Sequence, residues 1–352
     1  MGSSINEART KQILVLVGVA LLLFFPILDS NRYHLNLTIL IALYAINAMA
    51  LNILLGVAGQ ISLCQSVFYG MGAYVSGILN VHLRLDFLFC FAAAIVAAGL
   101  LAFLIGLTAI RFKGHYLAMV TLVIVVIFIE IVREWYGLTG GPDGFPGIGK
   151  PRIGPFVFDT EIRYYYLVYS LTLILIFFGH NLVQGRTGRA LTAVRQDETL
   201  SYTFGVNPTA YKLKVFVLSG LFGGLSGSLY AHYSSFIGSE DFSLHVSITM
   251  LCMIVIGGLR TGVWGGFLGA ALLTLLPEWL GALIKWRFIP TGFEFLVKDY
   301  CYRLILYGLI MLLVTLFMPG GMVGVFKWVG RQAWKITKLN RLAVGIDERT
   351  VQ

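Results

Sequence analysis

Charge is what this sequence has least of. Only 12% of its 352 residues are Asp, Glu, Lys or Arg, about half the roughly 25% usual in a soluble domain. With 58% hydrophobic residues, a water-soluble surface around one core is excluded. Cysteine is also scarce. Cys64, Cys90, Cys252 and Cys301 are scattered, with no C-x-x-C pair and no Cys/His cluster, which argues against disulfides and a bound metal. Buried apolar thiols are the expected state. Catalytic signatures are missing as well: there is no G-x-S-x-G elbow, H-E-x-x-H or kinase motif. The nearest approach to a phosphate loop is Gly144-Phe-Pro-Gly-Ile-Gly149-Lys150-Pro151. A P-loop needs Ser or Thr after the lysine to hold magnesium, and a strand before the first glycine. Pro151 stands where the hydroxyl is needed, so ATP binding there is not expected. The opening MGSSIN has Asn6 where a myristoylation signal needs Ser or Thr. The first apolar run ends at Asp29 without an A-x-A site, so a retained anchor is expected rather than a cleaved signal peptide.

What the chain does have is long apolar runs. Mean hydropathy is +0.83, and segments of roughly 17–25 apolar residues can span a bilayer. Ten candidates are visible: 13–28, 35–57, 66–79, 87–110, 116–132, 164–183, 215–234, 246–258, 263–283 and 304–318. The third and eighth are short and are candidates for tilted, broken or re-entrant segments. Forty glycines suit closely packed membrane helices. A β-barrel would show short alternating segments instead. The expected fold is therefore an all-α polytopic membrane protein of about ten transmembrane helices. One membrane domain, 1–326, precedes a basic tail, 327–352. The tail either lies along an anionic leaflet or serves as a topology anchor.

Charge placement tests this reading. With ten crossings and the N-terminus inside, sixteen basic and five acidic residues fall inside, and ten basic and twelve acidic outside. The positive-inside rule favours this orientation, with both termini cytoplasmic. The net +9 thus reads as topology and not as nucleic-acid binding. Two hydrophilic insertions remain. The outer one, 137–163, is rich in Gly and Pro and is expected to form turns rather than a packed core. The inner one, 185–214, reads GRTGRALTAVRQDETLSYTFGVNPTAYKLK.

The inner insertion has its own helix grammar. A short basic helix is expected over 187–195. Asp197 then stands as an N-cap, with Glu198 in the first turn, where negative charge meets the helix dipole. The next helix ends at Gly205, a natural C′ position. Asn207-Pro208 caps and starts the following membrane helix. A two-turn helix carrying Leu200, Tyr202 and Phe204 is thereby set on the inner surface. It either plugs into a groove on a soluble partner or lies on lipid.

The segment Asp197-Glu-Thr-Leu-Ser-Tyr-Thr-Phe-Gly205 resembles the coupling-helix motif of bacterial ABC-importer permeases, an acidic residue with a glycine some seven residues on. More specifically, the chain resembles the LivM-type permease subunits of branched-chain amino acid ABC transporters. Four stretches carry this: NILLGVAGQISLCQSVFYGMGAY at 52–74, LTGGPDGFPGIGKP at 138–151, residues 188–214, and 218–278 with its YAHY, MIVIGGLRTGVWGG and LLPE elements. Thr199-Leu200 departs from the small residues usual after the acidic pair. The resemblance implies a second similar permease, two cytoplasmic ATPases that use ATP and Mg, and a periplasmic binding protein, in a bacterial inner membrane. It also implies that the segment from Glu198 to Gly205 seats on an ATPase, with Arg189 and Arg195 adding electrostatic contacts or serving only as inside-positive charge. The cargo it implies is leucine, isoleucine or valine; urea and short-amide importers have similar permeases. On hydropathy alone, a stand-alone carrier or channel stays open.

Polar groups inside lipid are costly and should face protein or water. Asn52, Gln60, Ser62, Gln65, Ser66 and Ser76 are such groups, and Gly70 lies among them. They line the translocation path or tie helices together by hydrogen bonds; the resemblance leans toward the path. Gly220, Gly224 and Ser228 recur every four residues, beside Gly223 and Gly227, as a small-residue packing face. Glu130 and Glu278 fall near outer helix ends, which argues against proton coupling. Glu240, Asp241 and the outer loop either dock a binding protein or are simply solvated.

Overall fold

The computed structural model describes residues 25–26, 31–112, 114–259, 261–285, 308–309 and 312. Nearly all of the expected spans 13–28 and 304–318, together with Arg260, Cys301 and the tail 327–352, lie outside the described residues. Helix α1 (Arg32–Leu51) begins at Asn31, whose side chain accepts from the Tyr33 N–H at 3.1 Å. Its second half is buried on all sides, as expected of a helix apolar all round. It packs against α5 (Glu161–Gln184), α8 (Pro208–Ser234) and α10 (Val263–Lys285), and so runs through the centre of the bundle.

The expected span 35–57 is helical to its end, within Arg32–Val57, but changes its winding on the way. At Asn52 the helix widens into a π-turn, Asn52–Val57, and residues 59–63 leave helical geometry before α2 (Gln65–Leu83) begins. Local propensity gives no reason for this. The cause is tertiary: the Asn52 carboxamide donates to the carbonyls of Gly262, at 2.7 Å, and Gly258, at 3.4 Å. Gly56 lets the Leu259 carbonyl approach so closely that a Cβ there would sit 1.9 Å from its oxygen. Inserting contacts of this kind into a helix ladder is a recognised cause of π-turns and kinks. Helix α2, expected as a short 66–79, is 19 residues long, and at 1.5 Å per residue spans nearly 30 Å. Its polar groups had masked its length.

Helices α3 (Phe87–Ala109) and α4 (His115–Glu134) leave most of their apolar side chains only partly buried or exposed. On α4 only Leu117, Thr121, Val125, Ile129 and Val132 are buried, a stripe at helical spacing that faces the bundle. The remaining large apolar residues have the character of a lipid-facing surface. Among the described residues, five helical segments, Arg32–Val57, Phe87–Ala109, His115–Glu134, Glu161–Gln184 and Pro208–Ser234, are long and apolar enough to cross a membrane. The chain is a membrane-embedded helical bundle.

The glycine ladder of α8 works on two flanks. A Cβ on Gly220 or Gly224 would lie 2.3 or 2.5 Å from Ala102 or Ala98 of α3; on Gly223 or Gly227 it would lie 2.6 Å from Phe68 Cβ or 1.9 Å from the Tyr69 carbonyl of α2. The expected packing face is therefore present, and doubled.

The Gly/Pro-rich insertion forms turns, as expected, but it is fastened down. Phe145–Pro146 pairs antiparallel with Phe236–Ile237, and Arg152–Ile153 with Phe156–Val157. Phe145 and Ile148 are buried. Gly149 N–H donates to Asn80 Oδ1 at 2.8 Å, and its carbonyl lies 2.6 Å from His232 Nδ1. The Lys150 ammonium donates to the Tyr233 carbonyl at 2.8 Å; burial pushes it below its ordinary value, with Glu161 opposing the shift. The lysine of the near-P-loop is thus engaged in tethering the insertion. Beside it Arg133 bridges Glu130, at 3.6 Å, and Glu240, while Asp241 Oδ2 accepts from the Gly238 N–H at 2.9 Å. The end of the bundle opposite this one carries Arg111, Arg186, Arg189, Arg195, Lys212 and Lys214. We call the two the glycine-rich end and the basic end.

Candidate functional site

At the basic end, α6 (Arg186–Gln196) is followed by α7 (Glu198–Thr203) and the start of α8. Leu191 and Val194 of α6 are buried and pin it to the bundle. Asp197 is extended, and its carboxylate accepts from the Thr199 and Leu200 N–H groups at 2.8 and 3.0 Å, the N-cap its position predicted. Helix α7 closes with the Val206 N–H on the Ser201 carbonyl and the Gly205 N–H on the Tyr202 carbonyl. These are the two bonds of a Schellman stop, and they require the left-handed φ of +78° found at Gly205. Asn207 Oδ1 then accepts from the Ala210 N–H at 3.2 Å to open α8. The loop is thus stopped and restarted by its own side chains.

On α7, Ser201 is buried, whereas Leu200, Tyr202 and Phe204 are 56, 68 and 78% exposed. Three large apolar side chains projecting from one short helix form a knob suited to an apolar groove. The knob is held from behind. Glu198 forms an ion pair with Lys212 of α8, and Arg195 donates to the Gly56 carbonyl in the π-turn of α1. The aliphatic part of Arg195 lies against Gly59, whose Cβ position would be 2.9 Å from Arg195 Cγ. Arg189 reaches the Gln184 carbonyl, at 3.4 Å, near the end of α5. Of the five residues expected to act in the loop, Asp197 and Gly205 shape it, while Arg195 and Glu198 bind it to the bundle. Neither of these two tethers was visible in the sequence.

The polar residues of the apolar segments form a seam. Gln65 donates to Asn47 Oδ1 at 3.2 Å and accepts from Ser219 at 2.7 Å; Asn47 donates to Ser226 at 2.8 Å. Ser247 Oγ donates to Ser66 Oγ at 2.7 Å and accepts from the Ser66 N–H at 3.1 Å. Ser76 bonds Ser228 at 2.7 Å and His232 Nε2 at 2.9 Å. Ser62 lies 3.1 Å from Cys64 Sγ. All are buried. Apart from Ser62, whose partner is two residues away in the linker before α2, these bonds join one helix to another in this structure. Gly70 is covered by Phe128 and Phe242, whose rings would be 2.7 and 2.9 Å from a Cβ. Gln60 differs: it borders a cavity at the basic end, together with Arg195, Glu198 and Lys212. Asn47, Ser219, Ser226, His232 and Ser247 complete the seam and were not singled out in the sequence. A lone Asn in the run IALYAINAMAL was the available signal. Among the described residues, no three His, Cys, Asp or Glu side chains are grouped to hold a metal.

Comparison with known proteins puts these features in context. Residues 33–315 match the family described as branched-chain amino acid transport system, permease component. The chain is similar to the high-affinity branched-chain amino acid transport system permease protein LivM of Salmonella typhimurium, 28% identical over 346 residues, covering 92% of this chain and 76% of that protein. It is similar to the protein of the same description from Escherichia coli, 29% identical over 345 residues, covering 91% and 77%. A probable branched-chain amino acid transport permease protein LivM of Methanocaldococcus jannaschii is 26% identical over 240 residues, covering 65% and 67%. No solved structure matches.

Proposed function

Because the chain belongs to the family of permease components of branched-chain amino acid transport systems, we propose that it is a membrane subunit of an ATP-driven ABC importer for leucine, isoleucine and valine. A second, similar permease completes the translocation path. Two cytoplasmic ATPases bind and hydrolyse ATP with Mg, and a periplasmic binding protein delivers the cargo. The chain itself supplies no catalytic group and binds no cofactor. The basic end faces the cytoplasm, both termini are cytoplasmic, and the membrane is a bacterial inner membrane.

The observation that carries this reading is the knob of Leu200, Tyr202 and Phe204 on a helix built to stand away from the bundle. A stand-alone carrier has no use for such a helix. ATPase closure would press on α7. The ion pair of Glu198 with Lys212 would pass the displacement to α8, and Arg195 would pass it to the π-turn of α1. From there Asn52 connects to the turn between α9 (Leu244–Gly257) and α10. Displacing these elements together would open the α1 and α9 sides of the seam, at Gln65 and Ser66, to cargo, with Gln60 near its inner mouth. Packed interfaces of this kind shift between discrete arrangements rather than deforming continuously.

Affinity purification of the chain from its native membrane in mild detergent, with mass spectrometry, tests the assembly. Recovery of an ATPase and a second similar permease is expected. Recovery of this chain alone, while a control ABC complex stays intact, would sink the reading. Uptake of labelled leucine against labelled urea by the purified assembly separates the two cargo classes.

A further inference from the structure

At the glycine-rich end, α3 and α5 leave a cavity of about 500 Å³ between them. Phe87, Leu88 and Phe91, in the first turns of α3, form one wall, and the rings of Phe87 and Phe91 pack at 5.5 Å between centroids. Leu167 and Leu171, one turn apart on α5, stand in the other. Ile153 and Phe158 of the glycine-rich insertion cover the cavity where the two helices begin. That cover is fixed in place. Arg152–Ile153 pairs with Phe156–Val157 and packs on α3, and the Phe158 N–H donates to the Pro151 carbonyl at 2.9 Å. Leu88 is 57% exposed and marks the side left open, toward the surrounding membrane.

The walls suit an apolar occupant. No charged side chain lines the cavity. The Ser170 hydroxyl, also in the α5 wall, already donates to the Leu167 carbonyl at 2.9 Å. Water entering such a cavity finds too few polar partners to stay. An unfilled cavity forfeits the dispersion contacts of its lining. In a membrane this leaves two apolar occupants, a hydrocarbon chain or a helix.

We infer that one acyl chain of a phospholipid, from the leaflet at the glycine-rich end, occupies this cavity as a fixed part of the structure. The cover decides against a helix. A helix with its side chains is about 10–12 Å across, and to reach the aqueous surface it would have to pass through Ile153 and Phe158. A single hydrocarbon chain is far slimmer and enters from the side, beneath them. Between apolar groups in lipid, packing is what selects one contact over another. A chain lying on the open face of α4 touches protein on one side. In the cavity it touches α3, α5 and the insertion at once. The bound chain therefore braces the insertion against both helices. The inference needs only the membrane-embedded bundle, so it stands whatever the cargo.

The test uses the full chain in bilayers doped with a phospholipid that carries a photoreactive diazirine on one acyl chain. After irradiation, peptide mass spectrometry is expected to find label on 87–91 and 167–171 enriched several-fold over 123–127, a largely exposed apolar stretch of α4. Native mass spectrometry after extraction in mild detergent is expected to retain one phospholipid per copy of the chain. Leu171→Trp, which fills the cavity with a larger side chain, should remove both the enrichment and the retained lipid. Leu88→Trp, at the exposed mouth, is the second variant and should reduce both several-fold. Stripping the lipid should speed amide hydrogen exchange in 152–157. Label spread evenly over the exposed apolar stretches would overturn the inference, as would lipid retention unchanged in both variants. Label missing from 87–91 and 167–171 while other exposed stretches carry it would place a protein helix in the cavity, and would overturn it too.

Discussion

The guanidinium of Arg195 hydrogen-bonds the backbone carbonyl of Gly56, joining the polar loop to the π-turn that ends the first described span. A helix ending leaves carbonyls without intrahelical partners, and here a side chain from 139 residues away supplies the donor. The loop and the central helix are therefore mechanically one piece at this point.

Arg195→Ala should uncouple transport. A hydrogen bond from a charged donor contributes about 1.5–3 kcal/mol, so leucine uptake in proteoliposomes is expected to fall roughly tenfold or more. Co-purification of the ATPases should persist, because the knob itself is untouched. Loss of ATPase from the complex would show that Arg195 acts at the docking surface instead.

Gly205 offers a cleaner separation of causes. A Cβ there meets nothing within 4 Å, yet its φ is +78°. Any penalty is thus conformational, about 1–2 kcal/mol for an ordinary L-residue in the left-handed region. Gly205→Val should insert normally and lose most uptake, while Gly205→Asn, a residue that tolerates this region, should retain most of it. Equal activity of the two variants would remove the helix stop from the mechanism.

Glu198 and Lys212 make a prediction by exchange. Glu198→Lys places two cations where an ion pair stood, and should lower both ATPase association and uptake. The double variant Glu198→Lys with Lys212→Glu should recover much of both, since the pair is partly sheltered, at 34 and 13% exposure. If the swap recovers nothing, Glu198 contacts the ATPase directly rather than bracing α7.

Gly227→Val tests the packing of α8. Even a Cβ would lie 1.9 Å from the Tyr69 carbonyl, and the overpacking penalty is about 1–3 kcal/mol or more. Thermal unfolding followed by size-exclusion chromatography should show a marked loss of stability. Gly137→Ala, with nothing within 4 Å of the new Cβ, is the neutral control.

Local signals were legible in the chain before its structure was. Asp197, Gly205 and Asn207-Pro208 act through neighbours within a few residues, so their spacing alone located the loop helix. The α8 glycines announced close packing by their four-residue period. The π-turn that ends this span was not legible, because hydropathy registers the apolar character of 35–57 and is blind to the Asn52 contacts with Gly258 and Gly262, more than two hundred residues on. The tethers made by Arg195 and Glu198 escaped for the same reason. Long basic and acidic side chains in a polar loop read as topology until their partners are known. Gln65, Ser66 and Ser76 were recognised as unusual, but their partners Asn47, Ser247 and His232 emerged only with the packing.

Helix α8 touches α2 through one pair of glycines and α3 through another, with backbone or Cβ atoms facing it on both sides. Contacts of that kind have no side-chain rotamers through which to slide. The three helices therefore form a solid wedge, unable to shear internally without losing contact altogether. Motion transmitted from the basic end would then be taken up at the edges of that wedge, in the stretch between α1 and α2 and in the glycine turn between α9 and α10. On the proposed function, a gate would be defined as much by what α8 prevents from moving as by what the loop pushes.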